Sequence, residues 1–151
     1  MTSIDDEISK QIASRIAEAM SRAFQLGCAE VDRLFSALGA DLDTIVRSPE
    51  QRIELQRRLA ETRIALLYKR ADAAPFFDNA WDEIERLGFS NAEREATALV
   101  YRAKYLARRK QDVEQEATLV RLGRIIDDVL AQESSELAGH FRRVLEGLRV
   151  A

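Results

Sequence analysis

SNAEREATALVYRAKYLARRKQDVEQEATLVRLGRIIDDVLAQ, residues 90–132, is the stretch that decides the fold. Ser90 and Glu93 form the S-x-x-E pattern of a capping box, which predicts a helix start. Small or apolar residues then recur at steps of three and four, as in a heptad seam: Ala96, Leu99, Ala103, Leu106, Val113, Ala117 and Val120. Because no Gly or Pro lies between Gly88 and Gly123, the pattern predicts one long helix over about 90–132.

The continuity of this helix is open. A polar interval interrupts the seam, so two helices that meet near 108–112 are the alternative: Arg108, Arg109, Lys110, Gln111 and Asp112. A second apolar stripe also appears near the end of the first, and it has a different register: Leu119, Leu122, Ile126 and Val129, with Leu130 alongside. Two stripes on one helix need two partners.

Start and stop signals elsewhere predict the other helices of an irregular all-α bundle with five or six helices. Ser48-Pro49 begins a helix with a wide apolar arc, Ala74-Pro75 breaks it, and Gly88 ends the next one. A final helix follows a cap at Ser134 or Ser135.

The first part of the chain can be divided into helices in two ways. From the amino terminus, one kinked helix to Leu38 and two helices separated at Gly27 fit equally well. Gly39, followed by Asp41, is interpreted as a helix end and a new N-cap.

Composition and charge set the broad class. With 151 residues, 46% apolar and 32% charged, the chain is expected to be one helical domain over 1–151, with 1–47 as a candidate oligomerisation arm. A formal net charge of −3 gives no general attraction to nucleic acid or to an anionic membrane. The acidic start and the lack of a long apolar run predict a cytoplasmic protein without a membrane span. The excess of arginine over lysine is typical of a GC-rich bacterial genome.

The inventory of reactive side chains is poor. Cys28 is the only cysteine and His140 the only histidine, so neither a disulfide nor a two-histidine metal site fits within one chain. There is no nucleophile elbow, glycine-rich phosphate loop, dinucleotide fingerprint or Cys-x-x-Cys pair. The sequence therefore predicts a protein that is not an enzyme and has no cofactor and no metal site.

The leading hypothesis is an interaction or regulatory protein that self-associates through amphipathic helices. Its motivation is a surplus of apolar helical surface, which a homodimer would bury. The candidate oligomer face is a row with steps of four, which drifts around a helix: Ile4, Ile8, Ile12, Ile16, Met20 and Phe24.

Two alternatives belong to other functional classes. Phe76, Phe77 and Trp81 either close one end of the core or line the pocket of a sensor for a small apolar ligand. A basic run indicates a solvated helix face, an acidic protein partner or a weak nucleic-acid binder: Arg102, Lys104, Arg108, Arg109 and Lys110.

Overall fold

The computed structural model describes residues 4–150, with side chains from Asp6 onward. Every regular element within that range is helical, which confirms the predicted all-α class. None of these helices is both long and apolar enough to cross a bilayer. Seven are longer than one turn, against the five or six predicted: α1 Ile4–Ala23, α2 Cys28–Asp43, α3 Pro49–Leu67, α4 Ala74–Leu87, α5 Ala92–Arg108, α6 Asp112–Ile125 and α7 Ser135–Val150.

Contacts along the chain separate it into two compact units, Met1–Gly88 and Phe89–Ala151. The organisation as one domain over 1–151 stays a prediction. In the first unit, α3 is central and packs against α1, α2 and α4, as its wide apolar arc predicts. Residues 1–47, the candidate oligomerisation arm, supply α1 and α2, and both pack within this unit.

The apolar row of α1 is partly covered by the chain itself. The buried positions follow steps of four and then change to steps of three and four: Ile8, Ile12, Ile16, Ala19 and Ala23. A strict step of four drifts by about 40° each time, so the predicted row leaves the buried side at its end. Met20 is accordingly half-buried, and Phe24 is 68% exposed.

The chain turns between α1 and α2, so two helices are present and not one kinked helix. Gly27 precedes α2 in an extended conformation. Across this turn, the Arg70 guanidinium donates to the carbonyl of Ala23 at 2.9 Å and to that of Leu26. The Ala23 carbonyl lies at the end of α1, where helices lack intrahelical donors, and the Leu26 carbonyl lies in the turn that follows. Arg70 therefore links the α1–α2 turn to the α3–α4 turn.

Gly39 does not end a helix, contrary to the sequence interpretation. It lies inside α2, which continues to Asp43. A Cβ atom at Gly39 would lie 3.1 Å from Cδ1 of Leu59 on α3. Close helix approach therefore explains this glycine, and Asp41 is not an N-cap.

Helix ends that depend on local chemistry follow the sequence predictions more closely. The Ser48 hydroxyl accepts from the Gln51 amide at 3.1 Å and caps α3. Gly88 ends α4 with a φ of 82°. At the start of α5 the prediction was displaced by one residue, because Asn91 and not Ser90 is the N-cap.

The predicted long helix over 90–132 is broken, so the two-helix alternative is the observed one. The Gln111 amide donates to the Leu106 carbonyl and the Lys110 amide to that of Ala107, both at 3.1 Å. Lys110 between them has a φ of 57°. This is the hydrogen-bond pattern of a Schellman motif, with lysine at the left-handed position that glycine usually occupies. In the second unit, α6 consequently packs against α5.

The end of α6 widens into a π-helical turn, Ile126–Leu130, followed by a last turn, Ala131–Glu133. The extra residue in a π turn changes the phase of the helix. Leu130 is therefore fully buried, whereas Val129, predicted in the second stripe, is 37% exposed. Ser134 then caps α7 by accepting from the Leu137 amide at 3.2 Å.

Candidate functional site

The two sides of α6 differ in what covers them. One side carries its buried residues, Thr118 together with Leu119 and Leu122 of the second stripe, and packs within the unit. The other side carries the continuation of the heptad seam, Val113, Ala117 and Val120, and all three are exposed. Val113 is 85% exposed and Val120 38%. We call these three residues, with Asp112, Glu116, Arg121 and Arg124 around them, the α6 face.

The charges of the α6 face are divided along the helix. Asp112 and Glu116 lie towards its amino end, and Arg121 and Arg124 towards its carboxyl end. Glu116 pairs with Arg149 of α7 at 3.1 Å, in a solvent-exposed position where ion pairs contribute little. Neither Asp112 nor Arg124 forms an ion pair with any residue that the structure describes.

The α6 face is thus a strip of small and β-branched side chains between charged ends. No family model, curated protein or solved structure matches this chain. The chemistry of the face is that of a helix-packing surface, because alanine permits close approach and valine supplies apolar area. The side chains on it include no hydroxyl, thiol or imidazole group.

The predicted oligomer face on α1 is largely inside the chain. Ile8, Ile12 and Ile16 are buried, so they are not available to a second copy in this fold. Met20 is half-buried and Phe24 is exposed. The side chain of Ile4 lies outside the described residues. Within the described residues, the apolar surplus expected from this row is therefore reduced to Met20 in the last turn of α1 and Phe24 just after it.

The predicted ligand pocket consists of core side chains. Phe77 and Trp81 are buried, and their rings stack with centroids 6.5 Å apart and planes within 6°. Phe76 is half-buried. The two buried rings lie on α4, which packs against α3, an arrangement that suits the core interpretation. A ligand site at these residues stays a prediction.

The predicted basic patch lies where α5 ends. Lys104, Arg108, Arg109 and Lys110 are exposed, and Arg102 is half-buried. Acidic residues adjoin the patch, and a Glu114 carboxylate lies 3.8 Å from the Arg102 guanidinium. The Arg109 guanidinium lies 5.4 Å from the centroid of the Tyr105 ring. Binding of nucleic acid through this patch stays a prediction.

Arg63 is a buried charge that sequence reasoning missed. It lies on α3 between the carboxylates of Glu83 and Asp32, the latter at 3.6 Å. Its Nε atom is buried and has no hydrogen-bond partner within residues 4–150. Position 63 lies four residues after Leu59 and four before Leu67, on the buried face of the helix, and this spacing was the available signal.

Arg63 also lines a groove of about 360 Å³ between α2 and α3. The other cation of that groove, Arg52, pairs with Asp43 at 2.6 Å. Both arginines are therefore matched by carboxylates of the chain itself. We interpret Arg63 as an ion-paired link among α2, α3 and α4.

Cys28 is buried at the first position of α2 and is poorly suited to nucleophilic chemistry. The pKa of its thiol is raised to about 11, mainly by burial and next by Asp72, whose carboxylate accepts from the sulfur at 3.2 Å. Arg70 acts in the opposite direction with a smaller effect. Within the described part of the chain, no three His, Cys, Asp or Glu side chains lie close enough to hold a metal ion.

Proposed function

We propose that this chain is a non-enzymatic interaction or regulatory protein that self-associates through the α6 face. The observation that carries the proposal is the exposure of the heptad seam on α6, where Val113 is 85% exposed and Val120 38%. The sequence hypothesis placed self-association on α1. The burial of Ile8, Ile12 and Ile16 within the chain moves the proposal to α6.

Burial of the apolar area of the α6 face would supply the free energy of association. Removing apolar surface from water stabilises an association by roughly 25 cal/mol per Å², so an extended strip of valine and alanine favours a helix partner. A single pair of short helices buries less than the roughly 1,200 Å² of a stable interface. We therefore expect a dimer with a dissociation constant in the micromolar range or weaker.

We propose no enzyme activity because the chain's cysteine and histidine are poorly placed for catalysis. The only cysteine has a raised pKa and a buried sulfur. The only histidine, His140, is exposed on α7, with its ring against that of the adjacent Phe141. Neither residue lies on the α6 face. Self-association requires none of these groups.

Sedimentation equilibrium over a concentration series tests the proposal. The average mass of the wild-type chain should rise from monomer towards dimer between about 1 µM and 1 mM. Val120→Glu should weaken association at least about tenfold, because a carboxylate would be placed in the apolar strip. A wild-type mass that stays monomeric throughout would remove the proposal.

Val129→Glu is a matched control for the folded state. Val129 lies in the turn that follows α6 and is 37% exposed, against 38% for Val120, but it is not part of the α6 face. It should therefore associate like the wild type. Equal loss of association in both variants would mean that the α6 face is not the contact.

A further inference from the structure

We infer that two copies of the chain pack their α6 helices antiparallel about a two-fold axis near Ala117 and Val120. This inference rests on the proposed function, since it specifies the geometry of that same surface. The observation behind it is the order of charges along the α6 face. Acids lie towards its amino end and arginines towards its carboxyl end.

Val113, Ala117 and Val120 follow the spacing of a coiled-coil seam, and the next position of that seam is Arg124. In an antiparallel pair, Val113 of one copy lies against Arg124 of the other, and Ala117 lies against Val120. Each small or charged residue is thus placed opposite a valine. Arginine can cover a valine with its aliphatic stem while its guanidinium reaches past it.

The same arrangement brings opposite charges together at both ends of the contact. The guanidinium of Arg124 would reach Asp112 and Glu116 of the second copy, and the two-fold axis repeats this pair. Within residues 4–150, Asp112 and Arg124 have no ion-pair partner, so both are available for it. Charge complementarity of this kind fixes orientation and register.

A parallel pair is disfavoured by the same residues. There Arg124 would face Arg124 of the second copy at a seam position, and Val113 would face Val113 between two acidic ends. Like charges in direct opposition destabilise a helix pair. The aligned helix dipoles add to this repulsion.

Disulfide trapping distinguishes the two orientations. A chain with Val113→Cys is mixed with a mass-tagged chain with Arg124→Cys and oxidised. The antiparallel pair predicts the mixed disulfide and little Val113→Cys homodimer, because the two 113 positions would lie about 16 Å apart along the helix axis. A disulfide needs Cα atoms within about 7 Å. The wild-type chain, whose Cys28 is buried, is the control and should form no cross-link.

Charge reversal supplies a second readout without new cysteines. Glu116→Arg and Arg124→Glu should each weaken association about tenfold. The double variant should associate at least about threefold more tightly than either single variant, because the carboxylate introduced at position 124 then faces the guanidinium introduced at position 116, while its repulsion from Asp112 limits the recovery. In a parallel pair the double variant would not recover, since residue 124 still faces its own copy.

The outcomes separate the two levels of the hypothesis. A mixed disulfide together with recovery by the double variant supports the antiparallel pair. A Val113→Cys homodimer, or no recovery in a chain that still associates, overturns the antiparallel geometry and leaves the proposed function standing. A wild-type chain that stays monomeric in the sedimentation series overturns both.

Discussion

Replacing Lys110 with glycine should stabilise the protein, although glycine usually destabilises a helical segment. Lys110 has a φ of 57°, in the left-handed region that costs an L-residue roughly 1–2 kcal/mol. Glycine has no Cβ and avoids this cost. Its greater conformational freedom in the unfolded chain lowers the free energy of unfolding by about 0.5–1 kcal/mol, which offsets part of this effect. We therefore expect Lys110→Gly to raise the free energy of unfolding by roughly 0.5–1 kcal/mol.

Lys110→Ala is the control that isolates the backbone effect. Like glycine it removes the lysine charge, but it keeps a Cβ and therefore the strain. Its free energy of unfolding should stay within about 0.5 kcal/mol of the wild type. In an unbroken helix over 90–132 the order would be reversed, because glycine is about 1 kcal/mol less favourable than alanine in a helix interior. The two structures of this segment thus predict opposite signs.

Urea denaturation followed by far-ultraviolet circular dichroism measures the difference. The three chains should unfold with similar slopes, so that their midpoints report stability directly. A glycine variant more stable than the alanine variant supports the Schellman motif. An alanine variant that is the more stable of the two would refute the break between α5 and α6.

Three further predictions concern the first unit. Arg70→Ala should lower the free energy of unfolding by about 2–4 kcal/mol, since its two charge-assisted hydrogen bonds to the Ala23 and Leu26 carbonyls are lost. A loss of less than about 0.5 kcal/mol in urea denaturation would contradict this role. In the same assay Gly39→Val should destabilise by about 1–3 kcal/mol through overlap with Leu59, whereas Gly39→Ala should stay within about 1 kcal/mol of the wild type. At pH 8 the Cys28 thiol, with a pKa of about 11 instead of 9.0, should be alkylated at least about 100-fold more slowly than in urea. Because the pKa of Cys28 is higher in the folded than in the unfolded chain, the contribution of this thiol to stability is present below pH 9 and is lost as the pH rises towards 11.

Helix ends that use local chemistry were predictable from the sequence. Ser48 and Gly88 act through their own hydrogen bond or dihedral angle, so their effect is present within a few residues. Gly39 shows the limit of such reasoning. A glycine that ends a helix and a glycine that lets two helices approach look alike in sequence, and the deciding atom belongs to Leu59, twenty residues further on. Tertiary packing therefore determines the role of Gly39, and the local sequence does not.

The break at Lys110 was only an alternative in the sequence because no glycine or proline marks it. Lysine in the left-handed conformation is unfavourable on local grounds, and the chain adopts it because α6 then packs against α5. The buried aliphatic positions of α6, Leu119 and Leu122, were visible as part of the second stripe. What periodicity could not give was the direction of α6 after the break, which lets it pack against the preceding helix.

The same break explains why the heptad seam is buried on α5 and exposed on α6. The heptad count from Leu106 to Val113 assumes that one helical phase continues through Lys110. A left-handed residue resets that phase, so the α5 part of the seam carries no information about which side of α6 is buried. Ala96, Leu99 and Leu106 are buried, whereas Val113 and Val120 are exposed. The second stripe of α6 is buried in a unit where α6 packs against α5, whereas the first stripe is exposed. In the proposed dimer, the order of the charges beside the first stripe favours a second α6 in the opposite direction.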